Sequence, residues 1–177
     1  YDSAAIEEFR TEATTHAHIF AVADHAYLGI REGNKHENIL FCGESGSGKS
    51  FNAQQTLRYL VSVAPSKRAR VTLEKVDAIS TILTSFGSAR TAKNCSSTRL
   101  GYCIEMLYQS SSLEGLSIRA TLPLESSRLL RRRAGDGCFR VFYDLVHGSS
   151  SETHASLGFS PNHAFFYLSG GDATKTP

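Results

Sequence analysis

No run of apolar residues in this chain approaches the ~18 that a membrane-spanning helix needs, and no signal-peptide pattern opens it. Charge of one sign is not in excess either. The formal net charge is +2, too small for strong attraction to nucleic acid or to a membrane surface. The cysteines, Cys42, Cys95, Cys103 and Cys138, show no C-x-x-C spacing, which speaks for a reducing cytosol rather than a disulfide framework or a zinc site. No internal repeat is visible. The only methionine is Met106, and the chain closes on the loop-like Gly170-Gly171-Asp172-Ala173-Thr174-Lys175-Thr176-Pro177; both features lead to the expectation of a piece of a longer protein. With 41% hydrophobic and 20% charged residues, the 177 positions have the makings of a folded core rather than of a disordered tract.

What is present is organised around Gly43-Glu44-Ser45-Gly46-Ser47-Gly48-Lys49-Ser50, which fits the phosphate-loop pattern G-x-x-x-x-G-K-[S/T] at every fixed position. Its glycines let successive backbone N–H groups turn into one hollow, an anion nest. Lys49 sets a compact positive charge against outer phosphates, the Ser50 hydroxyl is a ligand for Mg²⁺, and a helix must follow so that its N-terminus faces the anion. The flanks agree. Asn38-Ile39-Leu40-Phe41-Cys42 is an apolar run of buried-strand type, and Ala53, Leu57, Leu60, Val61 and Ala64 recur at helical spacing before Pro65. Strand, glycine loop and helix together imply a nucleoside triphosphate site.

Along the rest of the chain, residues 1–10 form a weakly amphipathic, acidic start. Ile19, Val22, Ala23, Ala26, Tyr27 and Ile30 predict a helix ending near Gly33, and His16, His18 and His25 in or near it read as surface or packing residues because no acidic or cysteine partner sits at ligand spacing. Pro65-Ser66-Lys67-Arg68-Ala69-Arg70 reads as a solvated basic linker. A further helix is predicted from Val76, Ile79, Ile82, Leu83 and Phe86 up to Gly87. It leads to Asn94-Cys95-Ser96-Ser97-Thr98-Arg99, a polar cluster that is either a second loop for a triphosphate and its magnesium or a plain surface loop. Strict alternation from Tyr102 to Gln109, a turn at Ser110-Ser111-Ser112-Leu113-Glu114-Gly115, and renewed alternation through Leu116, Ile118, Ala120 and Leu122 predict an antiparallel hairpin over about 102–122. Arg128, Arg131, Arg132 and Arg133 lack interleaved aromatics and read as a solvated face or partner contact, not a nucleic-acid site. Phe139, Phe142, Tyr143 and Val146 predict a helix over about 138–148. That helical spacing argues against Val141-Phe142-Tyr143-Asp144 as a strand ending in a magnesium-binding Asp144. From Ser149 onward the chain reads as loop, with an apolar patch at Phe165-Phe166-Tyr167-Leu168.

In this order the segments resemble the myosin motor head over residues 18–148. His18-Ile19-Phe20-Ala21-Val22-Ala23-Asp24-His25-Ala26-Tyr27 resembles the family's helix before the phosphate loop, and residues 43–50 are close to its G-E-S-G-A-G-K-T. Ile82-Leu83-Thr84-Ser85-Phe86-Gly87-Ser88-Ala89-Arg90-Thr91 is similar to I-L-E-A-F-G-N-A-K-T, Leu124-Glu125-Ser126-Ser127-Arg128 to L-E-K-S-R, and Phe139-Arg140-Val141-Phe142-Tyr143-Asp144-Leu145 to F-H-I-F-Y-Q-L. Asn94-Cys95-Ser96-Ser97-Thr98-Arg99-Leu100-Gly101 then occupies switch I, N-x-N-S-S-R-F-G in the family.

The resemblance implies an α/β fold of the phosphate-loop NTPase type, a mixed sheet flanked by helices, with residues 1–177 as part of one motor domain of a divergent unconventional myosin. It implies ATP and Mg²⁺ as cofactors, with Gly43, Glu44, Ser45, Gly46, Ser47, Gly48, Lys49, Ser50 and Asn94 at the nucleotide and Ser50 and Thr98 at the metal. Lys49, Ser97 and Arg99 would be the catalytic set: Ser97 positions the attacking water or relays its proton, and Arg99 pairs with a glutamate of switch II. Cys95, Ser96 and Leu100 depart from the family's switch I, and Ser126 from its L-E-K-S-R lysine, while Ser50 and Thr98 keep the ligand hydroxyls. No D-x-x-G-F-E switch II appears, and the adenine loop, the main actin-binding segments, converter, lever helix and light-chain sites would lie outside these residues. The implied parent is a cytoplasmic motor of the actin cytoskeleton whose Mg-ATP hydrolysis is coupled to actin filaments and force, and the isolated chain is expected to bind nucleotide weakly and move nothing. The alternatives are a myosin-like scaffold that binds nucleotide or actin without turnover, and an unrelated phosphate-loop kinase or ATPase using Asp144.

Overall fold

The computed structural model describes residues 3–11, 17–33, 36–64, 71–121 and 135–160 and the single positions 128, 165 and 168. Its elements follow the order α1 (Ser3–Thr11), α2 (Ile19–Gly33), α3 (Lys49–Val63), α4 (Leu73–Gly87), β1 (Ser88–Ala89), β2 (Ser97–Thr98), β3 (Gly101–Gln109), β4 (Ser112–Thr121), α5 (Arg140–Gly148) and α6 (Ser151–Ser156). The strands form two separate pairs, β1 with β2 and β3 with β4. By contacts the chain divides into two units, Tyr1–Ser80 with Tyr102–Arg119, and Thr81–Gly101 with Ala120–Pro177.

The first unit is built where α2 and α3 turn their apolar stripes to each other. Phe20, Ala23, Tyr27, Tyr59, Leu60, Ala64 and, from β4, Leu113 make one buried cluster, with Phe9 of α1 and Met106 and Tyr108 of β3 against it. The Phe20 and Tyr59 rings stack at 5.0 Å, and each fully buried aromatic of this kind contributes about 1.5–3 kcal/mol. Tyr59 keeps its polar end satisfied by donating to Asp24 Oδ1 at 2.9 Å. His18 is a packing residue: its ring stacks on Phe9 at 4.7 Å, and its Nδ1 accepts the Phe20 N–H at 3.1 Å at the start of α2. His25 is exposed, and among the described residues no group of three His, Cys, Asp or Glu side chains could hold a metal ion.

β3 and β4 are joined by only Ser110 and Ser111, both in the left-handed region at φ 49° and 66°. A two-residue connection with both φ positive is the tight hairpin geometry whose twist matches paired strands. The expected six-residue turn is therefore too long: β4 starts at Ser112, because Leu113 is needed in the core, where it is 1% exposed. The run 38–42 is neither strand nor helix, and Leu40 is 85% exposed. A strand exists only by sharing a hydrogen-bond ladder, and among the described residues the paired strands all come from 88–121.

In the second unit, β1 and β2 pair antiparallel, Ser88 opposite Thr98 and Ala89 opposite Ser97, and Ala89 also bridges Phe139. Arg128 corrects the expectation of a solvated arginine face. It is 9% exposed, and its Nη1 donates to Gly137 O at 3.1 Å and Arg90 O at 3.4 Å. Arg131, Arg132 and Arg133, like the linker 65–70, lie outside the described residues. Asp144 lies inside helix α5, accepting from Ser85 Oγ at 2.7 Å and Arg140 Nε at 3.3 Å, so it does not end a strand. Phe142, Leu145 and Val146 of α5 line an apolar pocket of about 110 Å³ with Phe159, Phe165 and Leu168. Beyond Ser149 the chain is not all loop: Ser150 Oγ accepts the Thr153 N–H at 3.2 Å and caps the short α6.

Candidate functional site

Residues 43–48 form an exposed loop that delivers the chain directly into α3. Two glycines are needed for distinct reasons. Gly43 holds φ 145°, and a Cβ there would stand 2.9 Å from Ser47 Oγ; Gly48 holds φ 85° as the N-cap of α3. Between them the Ser47 N–H donates to Glu44 O at 3.3 Å, closing the turn. The Lys49 ammonium folds back over this turn, donating to Glu44 O and to Ser47 Oγ at 3.5 Å.

This arrangement fits a phosphate. Gly48 has no side chain with which to cap α3, and the helix dipole adds positive potential at the same end. The lysine cation sits over neutral acceptors with no carboxylate among those named partners. A hard divalent cation fits as well, through the neutral oxygen of Ser50. Magnesium commonly takes one or two protein ligands beside substrate phosphates, and no acidic cluster is required for that mode.

Ser50 itself is exposed and hydrogen-bonded to the hydroxyl of Tyr102 on β3, within the same unit. Burial raises the Tyr102 phenol above its ordinary pKa, and the Ser50 bond pulls it part of the way back. Tyr102 was not among the residues singled out from the sequence; its alternation with Ile104, Met106 and Tyr108 identifies a strand face but carries no sign of Ser50.

The second cluster, residues 94–101, is assembled within the second unit. Asn94 ties the loop at its root, exchanging backbone bonds with Thr91 at 2.8 and 3.2 Å, while its Oδ1 accepts the Ser96 N–H at 3.0 Å. Ser97 and Thr98 are not plain loop. As β2 their side chains alternate, leaving Ser97 2% exposed and Thr98 exposed. Arg99 Nη1 donates to Ser97 Oγ at 3.3 Å, and the Arg99 N–H donates to Gly87 O at 2.7 Å. Leu100 lies against Gly87 so closely that a Cβ there would overlap its Cδ2.

A glycine loop thus opens a helix in the first unit, and a hydroxyl-rich loop lies in the second. Residues 1–177 match the family model of the myosin head (motor domain) throughout. The chain is 33% identical over 167 residues to Myosin-2 of Saccharomyces cerevisiae, covering 89% of this chain and 10% of that protein. It is 32% identical over 152 residues to Unconventional myosin heavy chain 6 of Caenorhabditis elegans (85% and 7%), and 30% over 169 residues to Myosin-1 of Arabidopsis thaliana (95% and 14%). This chain belongs to the myosin motor-head family. It spans about a tenth of the length of the yeast relative.

Proposed function

We propose that this chain is the Mg-ATP-binding part of a myosin motor head, and that the full-length parent couples ATP hydrolysis to actin-filament binding and force. The observation carrying this reading is the glycine turn at residues 43–48 that opens directly into α3, in a chain of the myosin-head family. In it, the phosphate-loop NTPase-type sheet is completed in the parent, with residues 38–42 as one strand. Residues 43–50 bind the phosphates through backbone N–H groups, and Lys49 exchanges Glu44 O and Ser47 Oγ for phosphate oxygens. Ser50 and Thr98 are the proposed magnesium ligands, Thr98 being the exposed hydroxyl of the β2 pair. Magnesium, when bound, neutralises phosphate charge. Asn94 contributes its amide N–H donors to the phosphates, since its Oδ1 is taken by the loop. Ser97 positions the attacking water once Arg99 leaves it for an acidic partner. The parent is placed by this reading in the cytoplasm on actin filaments, with light chains carried by other parts of it.

Titration of the 177-residue chain with a fluorescent ATP analogue, with and without Mg²⁺, tests the core of this. Saturable, magnesium-enhanced binding is expected. Lys49→Ala should weaken it at least about tenfold, since a charge-assisted hydrogen bond contributes about 1.5–3 kcal/mol. A wild-type chain with no saturable signal at millimolar nucleotide would sink the reading. The scaffold reading is favoured by one observation: Ser97, the proposed water-positioning hydroxyl, is buried and engaged by Arg99.

A further inference from the structure

The Lys49 ammonium directs its donors into its own loop, to Glu44 O and, at 3.5 Å, to Ser47 Oγ. The two acceptors differ in origin. Glu44 O is backbone, so any residue at position 44 supplies it, whereas Ser47 Oγ is there only because position 47 is serine. The loop G-E-S-G-A-G-K-T, which this one resembles, has alanine at that place. Gly43 makes room for the contact. A Cβ there would stand 2.9 Å from Ser47 Oγ and 3.9 Å from Lys49 Cδ, so the hydroxyl and the lysine stem both lie over the glycine. The Ser47 backbone is fixed as well, since its N–H donates to Glu44 O at 3.3 Å. Glu44 O thus accepts from residues 47 and 49 together, and the turn, its hydroxyl and its lysine form one closed set of hydrogen bonds. Anionic phosphate oxygens attract an ammonium more strongly than a neutral hydroxyl does, so phosphate wins the exchange. The affinity is nevertheless the difference between the bonds made and the bonds given up.

We propose that Ser47 is an affinity-setting residue of the phosphate loop: its hydroxyl holds Lys49 within the loop and competes with the phosphates of an incoming nucleotide. The inference rests on the nucleotide-binding reading of residues 43–50. It gives the Ser47 side chain an effect opposite to that of the loop's backbone N–H groups, which attract the anion. Lys49 is the group that meets phosphate; Ser47 acts through it.

Two measurements on the full 177-residue chain test this. The first needs no nucleotide: limited acetylation by a water-soluble acetyl ester, with Lys49 quantified by mass spectrometry against Lys75, which is exposed on α4. Ser47→Ala leaves the ammonium one acceptor fewer. It should raise Lys49 labelling about two- to fivefold, the lower part of what a net hydrogen bond contributes. The second is titration with a fluorescent ATP analogue in Mg²⁺, where Ser47→Ala should bind tighter by the same factor. Ser47→Thr keeps the hydroxyl and should follow the wild type in both. Equal Lys49 labelling in wild type and Ser47→Ala overturns the proposal. So does equal or weaker nucleotide binding by Ser47→Ala, the weaker value because it would make the hydroxyl a phosphate ligand. A Ser47→Thr chain that behaves like Ser47→Ala overturns it too, since the hydroxyl would not be the cause. Faster labelling of Ser47→Ala with no saturable binding by either chain separates the two claims: the hold of Ser47 on Lys49 stands, and the nucleotide-binding reading falls.

Discussion

At position 128 a charged side chain has been taken out of water, and its surroundings say what it does there. One nitrogen of the guanidinium serves two backbone carbonyls, Gly137 O at 3.1 Å and Arg90 O at 3.4 Å, and lies 3.9 Å from Asp136 Oδ2. The carboxylate contact is long, so the carbonyl bonds fix the position while Asp136 balances the charge. Asp136 is fixed in turn, its Oδ1 accepting the Ala92 N–H at 3.1 Å. The side chains are 8% and 17% exposed, so removing one partner strands the other in a poor solvent. Arg128→Met should cost about 3–5 kcal/mol, read as a fall in urea midpoint. Asp136→Asn keeps an acceptor for Ala92 and should cost less. If Arg128→Met melts like wild type, the buried arginine is not holding residues 90 and 137 together. Nothing in a run of arginines marks Arg128 as buried, which is why the sequence reads it as part of a surface.

At the level of elements, the β3–β4 connection carries a local conflict. Ser110 and Ser111 both hold positive φ, which costs an L-residue with a side chain roughly 1–2 kcal/mol, and glycine relieves it. The contact that uses this turn, Tyr27 Oη donating to Ser111 O at 3.2 Å, is to backbone and survives substitution. Ser111→Gly should therefore raise the stability of the chain by about 1 kcal/mol in denaturant titration and leave nucleotide affinity unchanged. A destabilised variant would mean that the turn is not formed as described. The same contrast of local and distant causes explains what was legible beforehand. The helices at 19–33, 49–63, 73–87 and 140–148 follow from apolar spacing closed by Gly33, Pro65, Gly87 and Gly148, and the loop at 43–50 follows from glycines whose reason is local. Leu113, by contrast, is strand because the α2–α3 core receives it, a fact outside any serine-rich window. The helix at 151–156 has no apolar stripe to betray it and is held by one serine cap. The Tyr102–Ser50 bond joins residues far apart in sequence, brought together by tertiary packing alone.

For the whole molecule the open choice is between a motor and a nucleotide-binding scaffold, and binding experiments on this chain do not separate them. Both readings use the turn at 43–50 and the hydroxyls of Ser50 and Thr98. They part at the step after binding, which needs Ser97 released from Arg99 and a water set in line, because phosphoryl transfer is governed by positioning more than by covalent work. A head that makes this change only while the γ-phosphate is present has a two-state element that filament and nucleotide can both bias. Phosphate release by the full-length parent should then rise on adding actin filaments, and Arg99→Ala, which leaves the binding loop intact, should abolish the rise while sparing nucleotide affinity. A parent that binds the ATP analogue but whose phosphate release stays flat with actin is a scaffold. Asp144→Ala supplies the control for the unrelated-kinase reading: Asp144 lies within α5 and is engaged by Ser85 and Arg140, so its loss should leave magnesium-dependent binding unchanged. Loss of that binding in Asp144→Ala, with Thr98→Ala unaffected, would move the magnesium site away from switch I and overturn the motor reading at its root.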